Sequence, residues 1–257
     1  YFMYDDNDVR RDVTCANYKW SKNTDPEMAG VSKWYFGKYR FEWMNAQPYT
    51  GGNDDGIKPV VMRYADILLM AAEIENELNG PSHAKPYLQE VRERATGLDA
   101  AEAYVNGINS KEAFFDAIVK ERALEFCGEV LRKADLIRWN LLKTKLDQVK
   151  EEMLALRSLA DDYALYTGEV AFRLNDAEDG LDFFFPKAGE EIPAGYEITS
   201  DYLTKYDDAK ASGFYTDRIK GIYYNNPDEY MFWPIFYDTI TNSQGAIKND
   251  YHYDNPQ

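Results

Sequence analysis

The sequence contains little cysteine and little histidine. Its two cysteines, Cys15 and Cys127, are far apart and belong to no CxxC or Cys/His motif, so we expect unpaired, mostly buried thiols. A disulfide between them stays open as the alternative. Its two histidines, His83 and His252, are isolated, which argues against a zinc site. We therefore expect no metal and no cofactor.

Positive charge is also scarce. The 257 residues include 45 Asp and Glu but only 29 Lys and Arg, for a net charge of −16. Binding to nucleic acid phosphates needs a surplus of basic residues, as does a polybasic contact with a membrane surface. Both kinds of partner are therefore not expected. No apolar run approaches 18 residues, so we expect no membrane-spanning helix.

Charge and aromatic residues are unevenly distributed over three segments. Residues 1–58 have a net charge of −1, residues 59–158 of −3 and residues 159–257 of −12. Of the 39 aromatic residues, 32 lie outside the middle segment. The middle segment is typical of a helical scaffold with a substantial core. The first is an aromatic loop segment, and the last is acidic, tyrosine-rich and irregular.

The middle segment begins with a predicted helical hairpin. A first helix is predicted over residues 60–79 because apolar residues recur at helical spacing. The residues of this predicted buried face are Ile67, Ala71, Ile74 and Leu78. Tyr64, Leu68 and Ala72 widen it, as for a helix that is buried on two sides. Gly80 and Pro81 end the helix, and a second helix follows, from Ser82 to Gly97.

A second hairpin is predicted after a loop that contains Gly107 and Asn109. Ser110 is a good N-cap for a third helix, which we expect to break near Gly128. A fourth helix is predicted from near Leu131 to about Leu159. The fold class that follows is mainly α, built from helical hairpins with long, aromatic-rich loops and few short strands. Such a scaffold does not by itself indicate a function.

Charged residues are concentrated between positions 121 and 138. They are Glu121, Arg122, Glu125, Glu129, Arg132, Asp135 and Arg138. Three interpretations are open: a solvated face with ion pairs between successive turns, a carboxylate pair acting as acid and base, or a partly buried ion network that joins the hairpins. Arginines next to the carboxylates would keep them ionised, whereas a general acid needs a raised pKa. We therefore expect a structural ion network and no catalytic residue.

Several motifs carry a resemblance to a known family. They are ERALEFCGEVLRKADLIRW at residues 121–139, RYADILLMAAE at 63–73, VRERA at 91–95, WPI at 233–235 and DVR at 8–10. Taken in their order along the chain, they resemble the motifs of the SusD/RagB family. Two positions depart from the pattern: Val130 stands where the family has Gly, and Phe236 stands where it has the second Pro of WPIP.

The resemblance implies a fold of tetratricopeptide-like helical hairpins. It also implies a function: a lipid-anchored, non-catalytic protein on the extracellular face of the outer membrane, in Bacteroidetes-type bacteria. Such a protein binds a glycan and works with a SusC-like TonB-dependent transporter. Because the first residue is Tyr1 rather than an initiator Met, we expect the 257 residues to be a fragment. The resemblance implies that this fragment is the C-terminal part of a longer protein. The lipid-carrying cysteine would then lie in the missing N-terminal part, and Cys15 is not that residue.

Candidate ligand-binding residues lie ahead of the first predicted helix. Sugars present flat CH faces and hydroxyl groups, which suit aromatic and polar side chains on loops. The candidates are Trp34, Trp43, Tyr49, Asn53 and Asp54. Such aromatics also pack under loops without binding anything, and that alternative stays open. Trp139 and Trp233 lie in family motifs, and we expect them in the core.

Other functions stay open from the sequence. One is an uptake subunit of the same family that binds peptides, and another is a helical-repeat scaffold whose partner is another protein. A glycosidase is the remaining hypothesis. Acidic clusters at residues 161–162 and 176–179 suggest calcium, but their spacing does not match an EF-hand, so we expect solvated loops.

Overall fold

Helices dominate the part of the chain that the structure describes. The computed structural model describes residues 1–20, 26–29, 34–40, 58–176, 178, 180–199 and 214–249. Its helices are α1 (Arg10–Thr14), α2 (Tyr64–Asn79), α3 (Pro81–Thr96), α4 (Leu98–Asn106), α5 (Lys111–Glu125), α6 (Arg132–Arg138), α7 (Leu142–Ser158), α8 (Phe214–Lys220) and α9 (Tyr237–Asn242). The strands are short, so the mainly α fold class is confirmed.

The chain forms two compact units. The first unit comprises Tyr1–Arg132, Ala171–Phe184 and Ile192–Ile198, and the second comprises Lys133–Val170, Phe185–Glu191 and Thr199–Gln257. The predicted helical segment, residues 59–158, therefore contributes to both units.

Helices α2 and α3 form the predicted hairpin in the first unit. Gly80 joins them with a φ of 84°, a left-handed conformation that glycine adopts without strain. Pro81 is the first residue of α3, where its missing N–H costs nothing. Helix α2 packs against both α3 and α5.

The predicted buried face of α2 is wrong in its main stripe. Ile67, Ile74 and Leu78 are exposed, and Leu78 is 73% accessible. Of the residues predicted to widen the face, Leu68 and Ala72 are buried, and the core also contains Leu69, which was not predicted there. Helix α2 has apolar residues on more than one side, so the positions of α3 and α5 decide which side is buried.

The segment between the two predicted hairpins contains a helix that was not predicted. Helix α4 occupies residues predicted as a loop, and it buries Ala101 and Val105. Helix α5 follows as predicted, since the hydroxyl of Ser110 accepts a hydrogen bond from the backbone N–H of Ala113 at 3.1 Å. Helix α5 ends at Glu125, ahead of the predicted break.

The second unit contains two helices where one long helix was predicted. Helices α6 and α7 are separated near Asn140, whose φ of 56° is incompatible with a continuous helix. Helix α7 contacts α8.

Trp139 is half-buried, and Trp233 is 89% exposed, so the core position expected for Trp233 is wrong. The aromatic ring of Trp233 instead faces the ammonium group of Lys133, at 5.7 Å.

The strands pair in small antiparallel sets. They are β1 (Cys15–Ala16), β2 (Tyr18–Trp20), β3 (Pro26–Met28), β4 (Tyr35–Phe36), β5 (Val170–Leu174), β6 (Leu181–Phe184) and β7 (Glu197–Thr199). Strand β1 pairs with β4, β2 pairs with β3, and β5 lies between β6 and β7. Cys15 on β1 and Cys127 are both free thiols.

Candidate functional site

The first unit contains an open cleft of about 410 Å³. It lies where α1, the residues after β4, the start of α2, the end of α3 and the end of α5 come together. Its lining residues are Val9, Arg10, Val13, Thr14, Lys38, Tyr39, Val60, Arg63, Arg94, Glu125 and Glu129. Charged groups and apolar groups therefore share one concave surface.

Glu125, the last residue of α5, is the centre of the charged part. Its side chain is only 1% exposed. It accepts hydrogen bonds from Arg10 at 2.7 Å and from Arg63 at 2.5 Å, and it also pairs with Arg94. A single buried carboxylate thus holds three guanidinium groups that come from distant parts of the sequence.

Arg10 is held in place by its near neighbour Asp8. The carboxylate of Asp8 accepts hydrogen bonds from Nε of Arg10 at 2.9 Å and from Nη2 at 2.6 Å. It also accepts one from the backbone N–H of Arg10 at 3.0 Å. This two-pronged contact leaves Nη1 directed at Glu121 and Glu125, each at 2.7 Å.

Glu129, in the loop after α5, forms the second acidic centre. Arg63 donates to it through Nε at 2.8 Å and through Nη2 at 2.9 Å. Lys38 donates to the same carboxylate at 2.6 Å and to the backbone carbonyl of Glu125 at 2.5 Å. The residues after β4 are thereby fixed to the end of α5.

The network continues into the core behind the cleft. Glu121 is fully buried and pairs with Arg92 at 2.7 Å. Arg122 pairs with Asp66 of α2, also at 2.7 Å. The buried ring of Phe126 lies against the guanidinium groups of Arg63 and Arg122, at 4.6 and 4.9 Å.

The hydrogen bonds of the network change the acidity of its carboxylates. Burial by itself would raise the pKa of Glu125, but the bonds from Arg10 and Arg63 outweigh burial and hold the pKa below its usual range. The pKa of Glu129 is lowered in the same way, by Arg63 and Lys38 against the effect of burial. Both side chains are anions at neutral pH, which makes them poor general acids.

A comparison with protein-family models shows the family to which this chain belongs. The model of the SusD family matches residues 1–253. The chain belongs to the SusD family.

Curated relatives have SusD-like names. SusD-like protein P25 of Formosa agariphila is 47% identical over 92 residues, which are 36% of this chain and 16% of that protein. SusD-like protein P38 of the same organism is 32% identical over 124 residues, covering 41% of this chain and 24% of that protein. The matched segments thus amount to less than a quarter of either relative.

A solved SusD homologue is also similar. The crystal structure of a SusD homologue from Bacteroides thetaiotaomicron VPI-5482 has 24% sequence identity and a TM-score of 0.49. The match covers 60% of this chain and 34% of that one.

Most of the candidate ligand residues lie outside the part of this SusD-family chain that the structure describes. They are Trp43, Tyr49, Asn53 and Asp54. Trp34 is described and lies in an aromatic cluster, with its ring 6.1 Å from that of Tyr1 and 5.9 Å from that of Phe183. It does not line the cleft.

The charged residues of the long family motif separate into different surroundings. Glu121, Arg122, Glu125 and Glu129 belong to the network of the first unit. Arg132 donates a hydrogen bond to the carbonyl of Val119 at 2.9 Å. Asp135 and Arg138 pair with each other at 3.0 Å in the second unit.

Several cations that hold this network were not predicted as members of it. Arg63 and Arg94 stood in motifs quoted for the family resemblance, so their positions were signalled although their contacts were not. Arg10 was marked by the short D-x-R element with Asp8. Lys38 had no signal, since nothing near it in the sequence shows that it reaches Glu129.

The described ranges contain no group of three or more His, Cys, Asp or Glu residues that could hold a metal ion. Of the two acidic clusters for which calcium was considered, Asp161, Asp162, Asp176 and Glu178 lie within these ranges, and Asp179 lies outside them. No helix in the same ranges has the length and apolar character that crossing a membrane requires.

Proposed function

We propose that this chain contributes the ligand-binding region of a cell-surface glycan-binding protein of the SusD family. The observation that carries the proposal is the cleft of the first unit. Its volume of about 410 Å³ falls within the range of small-molecule sites, and it combines apolar walls with fixed polar groups.

The two kinds of surface in the cleft suit the two kinds of surface on a sugar. Val13, Tyr39 and Val60 supply partly exposed apolar groups, and the ring of Tyr39 can cover a CH face. The hydroxyl of Tyr39 accepts a hydrogen bond from the backbone N–H of Val60 at 3.3 Å, which fixes the ring. Lys38 and Arg94 supply N–H donors for hydroxyl oxygens.

The rest of the proposed role follows from family membership. The full-length protein would be lipid-anchored on the extracellular face of the outer membrane and would deliver oligosaccharide to a SusC-like TonB-dependent transporter. It would act without catalysis, a role consistent with the lowered pKa values of Glu125 and Glu129. Purification of the full-length protein from its native membrane tests the partner, because the transporter should co-purify with it.

Calorimetric titration of the full-length protein with a panel of neutral and acidic oligosaccharides tests the ligand class. Tyr39→Ala should weaken binding by about threefold to tenfold, the range expected for one aromatic contact. Tyr224→Ala is the matched control, because Tyr224 is 81% exposed and does not line the cleft. Equal affinities for both variants would place the ligand elsewhere.

A peptide panel run under the same conditions separates the other ligand class. Binding of peptides and of no saccharide would replace the glycan proposal with the peptide-binding alternative. If neither class binds, the chain is a scaffold for protein partners, and Trp43→Ala and Tyr49→Ala should then leave uptake unchanged.

A further inference from the structure

The charges around the cleft are arranged in two layers. The side chains of Glu125 and Glu129 are 1% and 6% exposed, so the acids lie underneath. Arg63 and Lys38 are 24% and 18% exposed, and Arg94 is 59% exposed. A molecule that enters the cleft therefore meets guanidinium and ammonium groups before it meets a carboxylate.

Two of these cations have donors that the described network does not use. Arg94 contacts Glu125 through Nη2 alone, so its Nε and Nη1 groups have no bond to the described residues. Lys38 has three N–H donors and uses two of them, on Glu125 and Glu129. Arg63, by contrast, uses all three of its nitrogens.

Arg94 and Lys38 also contact the same residue. Arg94 pairs with the side chain of Glu125, and Lys38 donates to the backbone carbonyl of the same residue. Both cations line the cleft, as does the ring of Tyr39. A planar guanidinium fork beside an ammonium group is an arrangement that suits a carboxylate, which it can bind through two parallel hydrogen bonds.

The net negative charge of the chain is not concentrated at the cleft, so it does not repel an anionic ligand there. The cations and acids of the network are equal in number: Lys38, Arg10, Arg63, Arg92, Arg94 and Arg122 against Asp5, Asp8, Asp66, Glu121, Glu125 and Glu129. Most of the net −16 comes from residues 159–257, which carry −12.

We infer that the cleft selects a saccharide that carries a carboxylate, with Arg94 and Lys38 as the groups that bind the anion and Tyr39 as the group that covers the ring. This inference rests on the proposed function, because it names the class of sugar that the same cleft takes. Hydroxyl groups alone would not need two cations with spare donors in one cleft.

Calorimetry with a matched pair of probes tests the inference on the full-length protein. The probes are trigalacturonate and its fully methyl-esterified form, which have the same rings and linkages and differ in charge. The acid should bind about tenfold or more tightly than the ester, as expected for a charge-assisted contact. Raising the salt concentration should weaken binding of the acid and leave binding of the ester nearly unchanged.

Arg94→Gln should remove most of the preference for the acid. Lys85→Gln is its matched control, since Lys85 lies on the same helix, does not line the cleft and loses the same charge. Arg94→Lys keeps the charge but loses the fork, so it should keep part of the preference. Circular dichroism is the control that shows whether each variant is folded. If Arg94→Gln is not folded, Lys38→Gln provides a second test.

The outcomes distinguish this inference from the proposed function. Equal affinity for acid and ester, or an unchanged preference in Arg94→Gln, overturns the inference and leaves the proposed function standing. If neutral oligosaccharides bind and neither probe binds, the inference is also overturned and the proposed function also stands. If no saccharide of either kind binds, both proposals fail.

Discussion

Neutralising Glu125 is the sharpest test of how the first unit is held together. The substitution Glu125→Gln keeps the size of the side chain and removes the charge that faces Arg10, Arg63 and Arg94. The side chains of Arg10 and Glu125 are 10% and 1% exposed, so this ion pair is the most buried of the three that Glu125 forms. Removing one partner of a buried pair typically costs about 3–5 kcal/mol.

The acids that remain reduce this cost, because Arg10 keeps Asp8 and Glu121, and Arg63 keeps Glu129. Arg94 is mostly exposed, where an ion pair contributes only about 0.2–1 kcal/mol. We therefore expect Glu125→Gln to lower the free energy of unfolding by about 1–3 kcal/mol, the cost of weakening a buried hydrogen bond to a charged group. The whole free energy of unfolding of an ordinary domain is roughly 5–15 kcal/mol.

Urea denaturation provides the measurement. The denaturation midpoints of the variants can be compared if the slope of the free energy of unfolding against urea concentration is unchanged. Glu90→Gln is the matched control, since Glu90 is an exposed residue of α3 and the same substitution there should stay within about 0.5 kcal/mol. A loss in Glu125→Gln no larger than in Glu90→Gln would refute the view that the ion network supports the fold.

Two further predictions concern pH and packing. The lowered pKa values of Glu125 and Glu129 mean that their contribution to stability is fully present above the ordinary value of 4.5 and is lost as the pH falls through their folded-state values. The urea midpoint of unfolding should thus decrease when the pH is lowered below about 4.5, and it should decrease less steeply in Glu125→Gln than in the wild type. Gly128 has a φ of 83°, and a Cβ added there would lie 2.8 Å from Cγ of Phe36. Gly128→Ala should therefore cost about 1–3 kcal/mol more than Gly80→Ala, which has a similar φ and open space, as thermal unfolding can show.

The helical hairpin was predictable because its signals are local. Gly80 and Pro81 mark a turn, and Ser110 marks a helix start, whatever surrounds them. The buried face of α2 was not predictable in this way. Ile67, Ile74 and Leu78 have helical spacing, but α3 and α5 pack on the other side.

Helix α4 was missed for a related reason. Its nine residues follow directly on Gly97 and have no side-chain cap, so neither length nor a start signal indicated a helix. Burial of Ala101 and Val105 in the first unit stabilises it, and tertiary packing of that kind is not visible in a short window.

The acids of the candidate site were visible in the sequence, but their partners were not. Glu121 and Glu125 lie one helical turn apart, which indicated a common face. Their bonds to Arg10 join residues more than a hundred positions apart, and only the folded chain brings them together. The contact of Lys38 with Glu129 is of the same kind.

The measurement that tests the central claim most directly is hydrogen–deuterium exchange of the full-length protein with and without a saturating saccharide. If the cleft is the binding site, the amides of residues 9–14, 38–40 and 60–63, which form or adjoin its walls, should exchange more slowly with ligand present. Protection confined to other regions, with these three segments unchanged, would contradict the account.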